Sequence, residues 1–76
     1  MLPFDQYLDA RGLACPLPLL KAKKLLNTMR SGEVLYVVSS DPTSLLDFRA
    51  FADQTGHALL DSRENFNEYF VWIKKL

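Results

Sequence analysis

The strongest constraint in this sequence is a change of hydrophobic period at Ser31-Gly32. Upstream, between Pro16 and Arg30, Leu19, Ala22, Leu25, Leu26 and Met29 recur at i, i+3, i+6, i+7 and i+10, the single apolar stripe of an amphipathic helix. Downstream, Glu33-Val34-Leu35-Tyr36-Val37-Val38-Ser39 is almost continuously apolar and rich in β-branched and aromatic residues, the pattern of a strand inside a sheet. A striped helix followed directly by an inner strand commits the chain to stacking helices on a sheet.

The remaining segments extend this alternation. Phe4 to Asp9 has a weak period of two and reads as an edge-like strand that ends before Arg11-Gly12. Ser40-Asp41-Pro42 is a turn and capping signal, with Asp41 expected to cap a second helix and Pro42 to occupy its first position. Leu45, Phe48 and Ala52 then keep helical period until Thr55-Gly56. His57 to Arg63 reads as a strand, Glu64 to Asn67 as a turn, and Glu68 to Lys74 as a final strand. The order is βαβαββ, which predicts an α/β (α+β) two-layer sandwich: a mixed four-stranded sheet with two helices on one face. Each βαβ crossover is expected to give a parallel pair, and the last hairpin an antiparallel one. The other face of the sheet is expected to be partly uncovered and to present aromatics, the character of a partner surface.

Seventy-six residues support one domain, residues 1–76, with one small core. Nine basic and nine acidic residues balance, so overall charge points to neither nucleic acid nor an anionic membrane. The balance is uneven along the chain, +3 up to Gly32 and −3 from Glu33 onward. One cysteine cannot form an intramolecular disulfide, and with one histidine it cannot complete a structural zinc site, so no metal and no cofactor are expected. The free thiol suits a reducing compartment, and the acidic start MLPFDQYLDA is unlike a signal peptide. No apolar run approaches the roughly 18 residues of a membrane span. The expectation is a cytoplasmic protein without membrane contact.

Cys15 is the residue whose type and position together point to chemistry. It falls at or next to the start of the first helix, where the macrodipole favours a thiolate, and Arg11 or Lys21 would lower its pKa further if within reach. Pro16 and Pro18 remove two backbone N–H groups that would otherwise cradle an anion, yet they stiffen the turn that presents the sulfur. Two readings stand at this point: a presented nucleophile, or a small buried hydrophobe.

The stretch Leu8-Asp9-Ala10-Arg11-Gly12-Leu13-Ala14-Cys15-Pro16-Leu17-Pro18-Leu19-Leu20-Lys21-Ala22 resembles the opening of the TusA/SirA-like family of small sulfur carriers, marked by Cys-Pro-x-Pro at the start of the first helix. Gly32-Glu33-Val34-Leu35, Asp41-Pro42, Asp47-Phe48, Phe51, Gly56-His57 and the closing Phe70-Val71-Trp72-Ile73-Lys74-Lys75 follow the same pattern, so the resemblance spans the chain. It implies a sulfurtransferase-like relay in which Cys15 accepts sulfane sulfur as a persulfide from a donor protein, a cysteine desulfurase or a rhodanese, and passes it to an acceptor protein. Family members serve tRNA thiolation, sulfur oxidation and molybdenum cofactor biosynthesis. In this reading Arg11, Gly12, Pro16 and Pro18 shape the loop. A lone cysteine suits the relay, because no second thiol is present to resolve the persulfide internally. Many relatives carry a second cysteine after the second-helix Phe; here Phe51 is followed by Ala52.

Lys21, Lys23, Lys24 and Arg30 make the outer side of the first helix purely basic. This is either an ordinary solvated face or a docking surface for an acidic partner. Four cations are too few for RNA, so direct RNA binding is expected to be weak or absent. His57 is expected to play a local packing or hydrogen-bonding role rather than act as a base. The alternative function is a non-catalytic interaction or regulatory module with the same fold and a structural Cys15. A cysteine hydrolase is disfavoured, since nothing in the sequence pairs Cys15 with a base or an oxyanion site.

Overall fold

A computed structural model describes residues 2–76. Its elements are β1 (Gln6–Ala10), α1 (Leu17–Leu26), β2 (Val34–Ser39), α2 (Ser44–Thr55), β3 (Ala58–Asn65) and β4 (Glu68–Lys74). The four strands form one sheet in the order β1-β2-β4-β3. β1 runs parallel to β2, with Leu8 opposite Val37, and β4 is antiparallel to both of its neighbours.

The element order and the two-layer architecture match the expectation, with one correction to the pairing. Only the first crossover gives a parallel pair. After α2 the chain skips a position, and β4 returns to fill the gap between β2 and β3. The burial of the two strands accounts for this. β4 buries Tyr69, Val71, Trp72 and Ile73 and uses both faces, whereas β3 carries Asp61, Arg63, Glu64 and Asn65 and is suited to a solvated edge.

One face of the sheet receives both helices. Leu35 and Val37 of β2, Val71 and Ile73 of β4 and Ala10 of β1 meet Ala22 and Leu26 of α1 and Phe48, Phe51 and Ala52 of α2. Met29, beyond the end of α1, joins the same core. The helical stripe is therefore real, but α1 is shorter than the period predicts, spanning Leu17–Leu26 rather than Pro16 to Arg30. From Asn27 the chain tightens: Thr28 and Met29 donate to the carbonyls of Leu25 and Leu26, three residues back, and Thr28 Oγ1 also takes the Leu25 carbonyl at 2.7 Å. Polar side chains that compete for the last carbonyls end the helix there.

Three further boundaries move. β1 begins at Gln6 and includes Ala10, β3 runs two residues past Arg63, and the final turn narrows to Phe66-Asn67. Both turn residues have positive φ, 50° and 62°, the two-residue geometry that matches strand twist in a tight hairpin. The opposite face of the sheet carries no helix. It presents a ladder of rings, Phe4 over Tyr36 at 5.1 Å, Tyr7 beside Tyr36 at 5.6 Å and Trp72 stacked on Tyr36 at 4.7 Å, with Arg63 over Trp72.

Candidate functional site

Cys15 stands one residue before the N-cap, Pro16, in the loop from β1 to α1, and its side chain is exposed. Exposure removes the buried-hydrophobe reading. The loop is pinned at three points. Gly12, at φ 82°, turns the chain and donates its N–H to Ser40 Oγ at 2.8 Å, and Leu13 N–H returns to the Ala10 carbonyl at 3.3 Å. A φ of this sign is open to glycine at little cost, which explains Gly12 after Arg11. Pro18 is buried at the start of α1, so it anchors the helix, whereas Pro16 faces solvent with a cis peptide bond to Cys15. The third point is Asp41, whose Oδ2 accepts the backbone N–H of Cys15.

Asp41 is more than a helix cap. α2 starts at Ser44, with Thr43 at the N-cap position, so Pro42 precedes the helix instead of opening it. Oδ1 of Asp41 accepts both the N–H and the Oγ1–H of Thr43, each at 2.9 Å, while Oδ2 holds Cys15. One carboxylate thus couples the start of α2 to the cysteine loop. The donors from Thr43, aided by the Cys15 N–H, hold its pKa below the ordinary carboxylate range.

The thiol itself faces Asp47, in the first turn of α2. Cys15 Sγ donates to Asp47 Oδ2 at 3.1 Å, and Thr43 Oγ1 lies 3.4 Å from the same oxygen. The hydrogen bond to the Asp47 carboxylate pushes the Cys15 pKa up, and desolvation and the charges of Asp47 and Asp41 add to it; the neighbouring Thr43 hydroxyl works the other way. This corrects the expected activation by Arg11 or Lys21. Arg11 turns aside to Asp9, 2.9 Å from its Nε, and to Glu68, 3.3 Å from Nη1. That pairing holds the Asp9 carboxyl at about 2, through its side-chain hydrogen bond to Arg11 above all. The group acting on Cys15 that sequence reasoning missed is Asp47. Its available signal was a position six residues after Asp41, which puts two carboxylates at the start of one helix.

The other predicted residues divide. Lys21, Lys23 and Lys24 project from α1, exposed and without an ion pair among the described residues. Arg30 is exposed too, but it lies past the helix end, where its N–H caps onto Glu33 Oε1 at 2.7 Å, so it is not part of one continuous helical face. His57 is distant in role from the thiol: Nδ1 accepts the Leu76 N–H at 2.9 Å and the ring packs on Phe51 at 5.5 Å. Burial and the nearby Lys75 charge lower its pKa. Among the described residues no group of three or more His, Cys, Asp or Glu side chains is arranged to hold a metal ion, and no helix is long and apolar enough to cross a membrane.

Known proteins resemble this arrangement along nearly the whole chain. A family profile described as Sulfurtransferase TusA matches residues 6–75. The sulfur carrier protein TusA of Allochromatium vinosum is 56% identical over 75 residues, 99% of each chain. A putative sulfur carrier protein of Neisseria meningitidis serogroup A is 54% identical over 60 residues, 79% of this chain and 81% of its own. The crystal structure of a SirA-like protein from Desulfitobacterium hafniense superposes with a TM-score of 0.80 at 25% identity, covering 92% of this chain and 96% of the other. The sequence match and the shared fold lead to one conclusion: the chain belongs to the TusA family.

Proposed function

We propose that the protein is a sulfur carrier that holds sulfane sulfur as a persulfide on Cys15 and relays it between a donor and an acceptor protein. The observation that carries this reading is the exposed Cys15 sulfur on a loop pinned from both sides, in a chain of the TusA family. Loading is a thiolate displacement: Cys15 Sγ attacks the outer sulfur of a donor persulfide, a new S–S bond forms, and the donor's cysteine leaves as thiolate. Unloading is the same step with the acceptor's thiolate as nucleophile and Cys15 as leaving group. No redox partner is needed, because one S–S bond replaces another.

Gly12, Pro16 and Pro18 shape the loop, Asp41 fixes its backbone, and Arg11 ties the end of β1 to β4 through Glu68. Lys21, Lys23 and Lys24, exposed along the middle and last turn of α1 and without an ion pair among the described residues, are docking cations for acidic partner surfaces; Arg30 adds to the same positive half of the chain. A cysteine desulfurase or a rhodanese has the chemistry of the donor. The test is intact-protein mass spectrometry after incubation with a cysteine desulfurase and cysteine, and separately with a rhodanese and thiosulfate. The expected result is a reductant-reversible gain of one sulfur on the wild type and none on Cys15→Ser. Loading of Cys15→Ser, or no loading of the wild type by either donor, overturns the proposal.

A further inference from the structure

The two edges of the sheet are not equivalent. β3 is protected: its register breaks between Leu59 and Asp61, and Asp61, Arg63 and Glu64 line it with charge. Bulges and charges of this kind are how proteins keep an edge from pairing with another chain. β1, at the other edge, has no bulge, and its one charged residue, Asp9, is paired with Arg11. Gln6–Ala10 pairs with β2 in unbroken register and contains no proline. Its outer row of N–H and C=O groups has no strand beside it.

A groove of about 320 Å³ lies beside that strand, lined by Leu8 of β1, by Lys21, Lys24 and Leu25 of α1 and by Thr28 just past the helix end. Lys21, Lys24 and Leu25 fall at i, i+3 and i+4, one stripe of α1. The floor, Leu8 and Leu25, is apolar and only partly buried, and the rim carries two lysines with no carboxylate partner among the described residues. On the opposite side of the strand, the exposed rings of Phe4 and Tyr7 offer a second apolar surface.

We infer that the free edge of β1 takes an extended, acidic segment of a partner protein as a fifth strand, with the segment's carboxylates over Lys21 and Lys24 and its apolar residues over Phe4 and Tyr7. The inference rests on the docking role given to these lysines above and specifies the form of the partner. Strand addition supplies affinity through backbone hydrogen bonds, and alternate side chains supply selectivity on the two faces. Charge decides between the available occupants. A second copy paired β1 to β1 about a twofold axis would set Lys21 and Lys24 of each molecule against those of the other, a like-charge contact. A second copy paired through β3 would present a bulged strand and leave a non-closing, head-to-tail contact. An acidic strand from a different protein meets neither obstacle.

The test is an NMR titration of the whole chain with a capped eight-residue peptide alternating Glu and Val, alongside one alternating Lys and Val. The Glu-Val peptide is expected to shift amide resonances of Gln6–Ala10 and of Lys21 to Thr28 and to slow amide exchange in β1. The Lys-Val peptide is expected to do neither. Lys21→Glu/Lys24→Glu, both at exposed helix positions, is expected to lose the response while keeping the folded spectrum. Equal shifts from both peptides, shifts confined to β3, or none up to about 1 mM peptide overturn the inference. So do shifts that appear with protein concentration alone, which would assign the edge to a second copy. Persulfide loading of the same sample separates the two proposals: a chain that loads sulfur but ignores the peptide retires the strand-addition site alone, and one that binds the peptide but never loads retires the carrier alone.

Discussion

Cys15 Sγ and Asp47 Oδ2 lie 3.1 Å apart, with the thiol donating to a carboxylate where a reactive cysteine would ordinarily face a cation. The carboxylate favours the protonated thiol and raises the Cys15 pKa even though the sulfur is exposed. Alkylation of the wild type by iodoacetamide is expected to be slow at pH 7 and to accelerate only above the ordinary cysteine range of about 8.5. Asp47→Asn removes the charge and should move that rise to lower pH, with severalfold faster alkylation at pH 7.5. An unchanged pH profile in the variant would show that Asp47 does not hold the proton.

Asp41→Ala removes three accepted hydrogen bonds at once, those from Cys15 N–H and from Thr43 N–H and Oγ1–H. Loss of these bonds is expected to lower the melting temperature. Amide exchange at Cys15 is expected to speed up more than exchange in β2. A variant with wild-type exchange at Cys15 would disprove the coupling of the loop to α2.

His57 gives stability a pH dependence of its own. Its folded pKa lies below the unfolded value because burial disfavours the imidazolium, and the neutral Nδ1 accepts the Leu76 N–H. The unfolded chain therefore binds the proton more readily, so stability is complete above an unfolded pKa of about 6.5 and is lost as pH falls from there through the folded value. Urea midpoints should decline across that window before Asp9, Asp41 and Asp61, whose pKa values are depressed, contribute their own losses at lower pH. His57→Asn should flatten the first decline, and a slope that survives the substitution would assign it elsewhere.

Leu26 is fully buried between the helices and the sheet. Leu26→Ala is expected to cost about 2–5 kcal/mol. A core this small supplies only a few kcal/mol in total, so the variant should be largely unfolded or show a much reduced urea midpoint. A midpoint near that of the wild type would mean the site collapses to fill the space.

Much of the architecture was legible because it rests on local periodicity. The stripe through Ala22 and Leu26 and the apolar run through Leu35 and Val37 each declare an element, and together they declare the layer contact that the core contains. What local pattern does not carry is pairing order. Nothing within Ala58–Asn65 or Glu68–Lys74 states which strand takes the inner place; the decision comes from comparing their polarity, with Asp61 and Glu64 on one and Val71 and Ile73 on the other. The site was legible to the same degree. Cys15, Gly12 and the prolines stand together in sequence, and their roles follow from backbone chemistry. The electrostatics of the thiol do not, since Asp47 reaches it from thirty-two residues away and Arg11, four residues away, is drawn off by Asp9 and Glu68.

The central place of β4 bears on how the protein is made. The strand that joins β2 to β3 is the last of the six elements to leave the ribosome. Until Glu68–Lys74 emerges, β2 has only the short parallel β1 beside it, and β3 has no neighbour at all. Non-local pairings of this kind form late because loop closure must come before any contact is gained. A nascent chain stalled before Glu68 would present the apolar faces of β2 and α2 without a sheet to receive them, a species prone to aggregation. Folding is therefore tied to completion of the hairpin.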